Sequence, residues 1–76
     1  MDRPLGERIR TLRQKLSMSQ RELAMLMGVT PQAASKWEHG LSFPDIMSLY
    51  KLSRVLQISL DDLLAPEFPI SMEYKS

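Results

Sequence analysis

Three residues near the middle of the chain have side chains that could contact the edges of DNA bases. Gln32, Ala33 and Lys36 follow the pair Thr30-Pro31 at helical spacing. A glutamine amide can bond adenine through two hydrogen bonds, a lysine reaches the acceptors of guanine, and an alanine can contact the thymine methyl group. Each residue alone fits an ordinary exposed helix, so it is their arrangement that favours a base-reading surface.

The segment before these residues predicts a short helix over about residues 19–27. Ser19 begins the run Ser-Gln-Arg-Glu, a capping box in which its hydroxyl accepts from the amide of Glu22 and the Glu22 side chain returns to Ser19. Gly28 follows the last helical residue and suits the left-handed turn that ends many helices.

A recognition helix is predicted next, over about residues 30–39. Thr30 is a favoured N-cap, Pro31 is well tolerated at the first helical position, and Gly40 is a second glycine stop. The connection from Gly28 to Thr30 is so short that the two helices must cross at a large angle, as in a helix-turn-helix. We expect the buried side of this unit to contain Leu23, Ala24, Met27, Val29, Ala34 and Trp37. The adjacent alanines at 33 and 34 are expected to keep the outer side thin enough for a major groove.

Three more helices complete the predicted fold, which is all-α. Pro4 opens a first helix, another begins near Asp45, and a short one with an acidic first turn begins at Ser59. We therefore expect a compact five-helix domain over residues 1–65, followed by a short extended tail over residues 66–76.

Composition and charge limit the class of protein. The 76 residues, 43% of them hydrophobic, suffice for one small domain, and the lack of cysteine excludes disulfides and cysteine-based metal sites. No apolar run is long enough for a membrane span, so we expect a cytoplasmic protein. We also expect no cofactor and no metal. Residues 3–36 carry seven basic and two acidic side chains, whereas residues 37–76 carry three basic and six acidic ones. The basic half indicates a surface that faces a polyanion.

Several motifs resemble the phage-repressor (XRE/Cro-type) helix-turn-helix family. The similarity extends from about Leu5 to Leu64, and the Ser-Lys-Trp-Glu-x-Gly segment over residues 35–40 is strongly typical of the family. The motifs are Gln20-Arg21-Glu22-Leu23-Ala24, Gly28-Val29-Thr30-Pro31-Gln32-Ala33-Ala34-Ser35-Lys36-Trp37-Glu38, Pro44-Asp45-Ile46 and Ser59-Leu60-Asp61-Asp62-Leu63-Leu64.

The resemblance implies a lambda-repressor-like fold and a transcriptional repressor that binds a palindromic operator in double-stranded DNA as a homodimer. The helix that begins at Thr30 would enter the major groove and place Gln32, Ala33 and Lys36 at the bases. Such a regulator is expected in the cytoplasm, associated with the nucleoid.

The resemblance also implies contacts to the DNA backbone. Gln20 and Thr30 match phosphate-contacting positions of the family. Ser19 and Gln20 also lie at a helix N-terminus, where free amides and the helix dipole favour phosphate. Ser35 and Gly40 are the further backbone candidates.

A supporting pair and two departures from the family complete the resemblance. Arg13 and Glu38 match a pair that links the first helix to the end of the third, where the buried Trp37 adds support. The loop over residues 41–43 lacks the basic residues common in the family, which predicts few phosphate contacts. Met25-Leu26 stands at positions that are commonly charged, so an exposed apolar patch is expected.

The tail lies outside the resemblance. Its apolar residues alternate with polar ones, a pattern that suits a short strand or an arm laid on an apolar groove. We interpret it as a dimerisation arm that acts with Leu60, Leu63 and Leu64, with a frayed terminus as the alternative. The alternating apolar residues are Ile70, Met72 and Tyr74.

An enzyme and a protein-interaction module are the two alternatives to DNA binding. An enzyme is disfavoured because His39 is the sole histidine, sits beside a helix-ending glycine, and has no metal-ligand spacing or phosphate-binding loop nearby. The stronger alternative is a protein-interaction module, such as the antitoxin of a toxin–antitoxin pair. Met25-Leu26 and the tail leave room for such a protein partner.

Overall fold

Residues 4–65, which a computed structural model describes, form five helices. The predicted all-α fold is confirmed, and no strand occurs between residues 4 and 65. The predicted tail, residues 66–76, lies outside the described residues. None of the helices in this range is long and apolar enough to span a membrane. The helices are α1 (Pro4–Lys15), α2 (Gln20–Met27), α3 (Pro31–His39), α4 (Ile46–Val55) and α5 (Leu60–Leu64).

The ends of α2 and α3 are fixed by the local bonds that the sequence predicts. Ser19 Oγ accepts from the Glu22 amide at 3.0 Å, and Glu22 Oε1 accepts from the Ser19 amide at 2.7 Å. Gly28 then ends α2 in the left-handed region, with φ of 74°. Thr30 Oγ1 accepts from the Ala33 amide at 3.1 Å and starts α3. These bonds satisfy helix-end groups that have no partner inside the helix.

The core joins all five helices. α1 and α2 both pack against α3, while α4 packs on α2 and α5. Because α3 is held from two sides, its remaining side is left facing outward. The buried apolar residues are Ile9, Leu23, Ala24, Met27, Ala34, Trp37, Leu49, Leu52, Leu56 and Leu63.

The contact between α1 and α3 depends on a glycine whose role the sequence alone did not reveal. A Cβ atom at Gly6 would lie 2.6 Å from the carbonyl oxygen of Trp37 and 2.7 Å from that of Glu38. These neighbours are backbone atoms, which cannot move aside as a flexible side chain can. Gly6 therefore lets α1 approach the C-terminal end of α3 closely.

Burial corrects two of the expectations from the sequence. Leu63 is fully buried in the core of its own chain, so its proposed part in a dimer contact is wrong. Leu60 is half-buried and Leu64 is exposed. Ala34 is also fully buried, so only Ala33 of the two adjacent alanines thins the outer side of α3.

Candidate nucleic-acid interface

The outer side of α3 carries the three residues predicted to read bases. Gln32 and Lys36, one helical turn apart, are exposed, and Ala33 beside them is half-buried. Within residues 4–65, neither the Gln32 amide nor the Lys36 ammonium takes part in a hydrogen bond or salt bridge. Both groups therefore remain available to a ligand. The small side chain of Ala33 keeps this side of α3 thin.

Two cap hydroxyls lie at the N-termini of α2 and α3. Ser19 Oγ and Thr30 Oγ1 each accept a hydrogen bond from a backbone amide. The hydrogen of each hydroxyl is therefore left to donate to an oxygen such as that of a phosphate. The first-turn amides of α2, those of Gln20 and Arg21, have no partner inside the helix. The N-terminus of α2 thus combines amide donors, a hydroxyl donor and the positive end of the helix dipole.

Behind this surface lies a buried carboxylate on α3. Glu38 is only 3% exposed. Arg13 of α1 binds it in two places, with Nε 2.7 Å from Oε2 and Nη2 3.0 Å from Oε1. A third bond runs from Arg13 Nη1 to the carbonyl oxygen of Met18, at 2.9 Å. One guanidinium therefore ties α1 and the α1–α2 turn to the last turn of α3.

The electrostatics of the pair favour the charged form of Arg13. Its hydrogen bonds to Glu38 raise the pKa of Arg13 above the usual value, against a smaller opposite effect of burial. Breaking such a pair by removing one partner leaves an uncompensated buried charge, which costs about 3–5 kcal/mol. The pair is therefore a rigid support for α3.

Gln20 connects the support to the surface. Its Nε2 lies 3.1 Å from Glu38 Oε1, and since an amide nitrogen carries two hydrogens, the second can still donate outward. The prediction that Gln20 contacts phosphate did not include this link to Glu38. The only sequence signal for this link was a glutamine side chain directly after the N-cap residue Ser19.

A residue that the sequence analysis missed joins the same cluster. Arg10 Nε lies 3.8 Å from Glu38 Oε1, and its side chain is 46% exposed. The sequence signal for this role of Arg10 was its position one helical turn before Arg13 on α1. Because Arg10 and Gln20 both approach the same oxygen of Glu38, a cation lies close to the N-terminus of α2.

The C-terminal end of α3 holds two of the backbone candidates, Gly40 and Ser35. The Gly40 amide donates to the carbonyl oxygen of Trp37 at 3.2 Å as part of the helix cap, and a contact of Gly40 with the DNA backbone stays a prediction. Ser35 is half-buried, and its carbonyl oxygen lies 2.9 Å from His39 Nδ1. This contact within α3 gives His39 a local role at the helix end.

Comparison with known proteins gives one family. Residues 9–63 match the helix-turn-helix family. Among curated relatives, the chain is 41% identical over 59 residues to the SPbeta prophage-derived uncharacterized HTH-type transcriptional regulator YonR of Bacillus subtilis, covering 78% of this chain and 55% of that protein. It is 43% identical over 60 residues to Repressor protein C2 of Salmonella phage P22, covering 79% of this chain and 28% of that protein. The chain thus spans about half or less of the length of these two relatives.

Two solved structures are similar along most of the chain. The P22 c2 repressor in complex with synthetic operator 9T superposes with a TM-score of 0.75 at 43% identity, covering 79% of this chain and 91% of that chain. The N-terminal DNA-binding domain of SinR from Bacillus subtilis gives a TM-score of 0.78 at 34% identity, covering 87% of this chain and 97% of that chain.

Proposed function

The chain belongs to the helix-turn-helix family, and from this premise we propose that it is a transcriptional repressor that binds double-stranded DNA sequence-specifically. It inserts α3 into the major groove and acts as a homodimer on a palindromic operator. It works in the cytoplasm on nucleoid DNA. Catalysis, cofactor and metal have no part in this function.

The observation that carries the proposal is the contrast between the two sides of α3. The outer side offers Gln32 and Lys36, exposed and without partners among residues 4–65, while the inner side is fixed by the bonds of Arg13 to Glu38. A reader of base sequence needs both properties, since its donors must point out and must not move. Similar proteins support this use of the fold, because one is a repressor solved with an operator.

The proposed contacts divide into base reading and backbone positioning. Gln32 and Lys36 reach the base edges, and Ala33 contacts a thymine methyl group. Phosphates bind at the N-termini of α2 and α3. The backbone contacts are assigned to Ser19, Gln20, Thr30, Ser35 and Gly40, with Arg10 added because of its position beside Gln20.

Selection from a random DNA library with the purified chain tests this proposal. We expect enrichment of a palindrome whose half-sites are centred about 10 base pairs apart, because a dimer presents two recognition helices to successive major grooves on one side of the duplex. A footprint of the lone protein on the selected site should cover both half-sites. Recovery of no common sequence, or of a single unpaired half-site, would contradict sequence-specific binding by a dimer.

The antitoxin alternative rests on one feature of the surface. Met25 and Leu26 are exposed on α2 and border a groove with Leu16 and Met18. The relatives are regulators rather than antitoxins, so this alternative is not favoured. A stoichiometric small protein that co-purifies with the chain and requires Met25 and Leu26 would reverse that judgement.

A further inference from the structure

The outer side of α4 is unusually apolar for an exposed helix surface. Ile46, Met47 and Tyr50 are 71%, 69% and 51% exposed, and Phe43 in the preceding loop is 68% exposed. We refer to these four residues as the α4 apolar surface. The opposite side of α4 packs in the core through Leu49 and the residues one turn further on.

The size of this surface is that of a protein contact. Aromatic side chains bury about 150–250 Å² each, and isoleucine and methionine are only slightly smaller, so four such residues that are half to three-quarters exposed present on the order of 400–600 Å². That is comparable with the largest apolar patch of a typical monomer, which is often functional, and is a large part of the roughly 800 Å² that each partner of a stable complex buries.

A groove of about 350 Å³ runs along the same side of α4. It is lined by Asp45, Met47, Ser48, Tyr50, Lys51 and Arg54. The groove therefore begins at an acidic end, passes two members of the α4 apolar surface, and finishes at a basic end. Arg54 stands over the ring of Tyr50, with Cζ 5.9 Å from the ring centroid.

This order of charges makes the surface complementary to itself. Under a two-fold rotation, an isologous contact brings each end of a helix opposite the other end of its copy. An acid at the N-terminal end of α4 then meets a base near the C-terminal end of the other α4. The Ser48 amide donates to Asp45 Oδ1 at 2.8 Å and lowers the pKa of Asp45, which favours the charged form at the acidic end.

We propose that a second copy of this chain docks on the α4 apolar surface, with the two α4 helices antiparallel and the two-fold axis at the level of Ser48, next to Met47. In this register Ile46 packs against Tyr50 of the second copy, and Asp45 pairs with Lys51 of the second copy. The proposal rests on the homodimer of the proposed function and names its contact surface. Gln32 and Lys36 of α3 take no part in the proposed contact.

Sedimentation equilibrium of the full chain without DNA tests this surface. Met47→Glu places two like charges close together beside the axis, and we expect the dimer dissociation constant to rise by roughly a hundredfold or more. Met25→Glu is the matched control, since Met25 is also 69% exposed on a helix but belongs to a different surface. Circular dichroism of both variants checks that the fold is kept. A monomeric wild-type chain, a dimer that survives Met47→Glu, or a dimer lost only with Met25→Glu would overturn the proposal.

A cysteine cross-link tests the register directly. The chain has no cysteine, so Met47→Cys introduces a single thiol that would lie close to its copy beside the axis. Under oxidation we expect rapid disulfide-linked dimers from Met47→Cys and few from Met25→Cys. Equal yields from the two variants would contradict the register.

The two proposals can fail separately. Met47→Glu leaves every proposed DNA contact in place, so its binding to a single half-site should match that of the wild-type chain. A wild-type dimer that binds no DNA sequence specifically would remove the proposed function and keep this interface. A specific DNA binder whose dimer tolerates Met47→Glu would do the opposite.

Discussion

The helix-turn-helix unit and the helices that flank it end in different ways. α2 and α3 end at Gly28 and Gly40, both with φ of 74°, where glycine has no Cβ to clash. The turns after α1 and α4 instead use Ser17 and Gln57 at φ of 57° and 60°. Side chains in this left-handed region cost roughly 1–2 kcal/mol, so strain is confined to the turns outside the unit.

The two regions therefore differ in backbone strain and in the contacts that support them. The unit that presents Gln32 and Lys36 has unstrained ends and, behind it, the buried Arg13–Glu38 pair. The flanking turns carry strain at Ser17 and Gln57, neither of which is a proposed base-reading residue. The unit is therefore built for rigid placement of α3, and substitutions in the support and in the turns test this property.

The largest effect is expected from removing the support of α3. Arg13→Met leaves the Glu38 carboxylate buried without its main partner, and we expect the free energy of unfolding to fall by about 3–5 kcal/mol. That is a large part of the stability of a domain this small, which is roughly 0.05–0.15 kcal/mol per residue. Urea denaturation followed by circular dichroism measures the change.

Two controls define the cause of that loss. Arg21→Met removes an exposed arginine of α2 and should change stability by less than about 0.5 kcal/mol. Adding Glu38→Met to Arg13→Met removes the unpaired charge and should recover most of the loss. A single variant that costs less than about 1 kcal/mol would mean that the pair does not support α3.

The contrast between the turns predicts opposite signs for two substitutions. Gly28→Ala has free space around the added Cβ but keeps φ of 74°, so we expect a loss of about 1–2 kcal/mol. Gln57→Gly relieves a similar strain, offset by the flexibility of glycine in the unfolded chain, and should gain up to about 1 kcal/mol. Thermal and urea unfolding measure both. A gain from Gly28→Ala or a loss from Gln57→Gly would contradict the comparison.

Gln20 should show a mixed effect because it belongs to both the support and the surface. Gln20→Ala removes a bond to the charged Glu38, and we expect a loss of about 1 kcal/mol in stability together with weaker DNA binding. Gln32→Ala, an exposed position, should leave stability unchanged. Unfolding curves and binding isotherms on the same two proteins separate the effects. Unchanged stability in Gln20→Ala would mean that the link to Glu38 contributes nothing.

The smallest predicted effect concerns the salt dependence of binding. With no basic residue in the loop over residues 41–43, the basic side chains of a dimer should neutralise no more than about six phosphates, each adding roughly 0.9 to the slope of log K against log salt. Ser42→Lys should steepen that slope by about one unit per subunit. Titrations at several salt concentrations measure it. A wild-type slope that requires many more phosphates would contradict the prediction.

Local signals made much of this fold predictable. The caps at Ser19 and Thr30 and the glycine stop at Gly28 act through residues within one turn, so the sequence specifies α2, α3 and the turn between them. The close approach at Gly6 and the full burial of Leu63 depend on packing between distant helices, which no local pattern contains. Sequence patterning therefore located the helices better than it located the contacts between them.

The candidate site divides along the same line. Exposure of Gln32 and Lys36 follows from helical periodicity. The place of Arg10 beside Glu38 follows from how α1 meets the end of α3. That relation appears only in three dimensions.

The most direct test of the account compares Gln32→Ala with the wild-type chain on every single-base variant of the selected half-site. If α3 is a fixed reader with Gln32 at a base, the substitution should cost about 1–3 kcal/mol on the best site and abolish discrimination at one base position per half-site. Discrimination at the other positions should persist. Equal weakening on all variants, with every preference retained, would show that Gln32 contacts the backbone and would contradict the account.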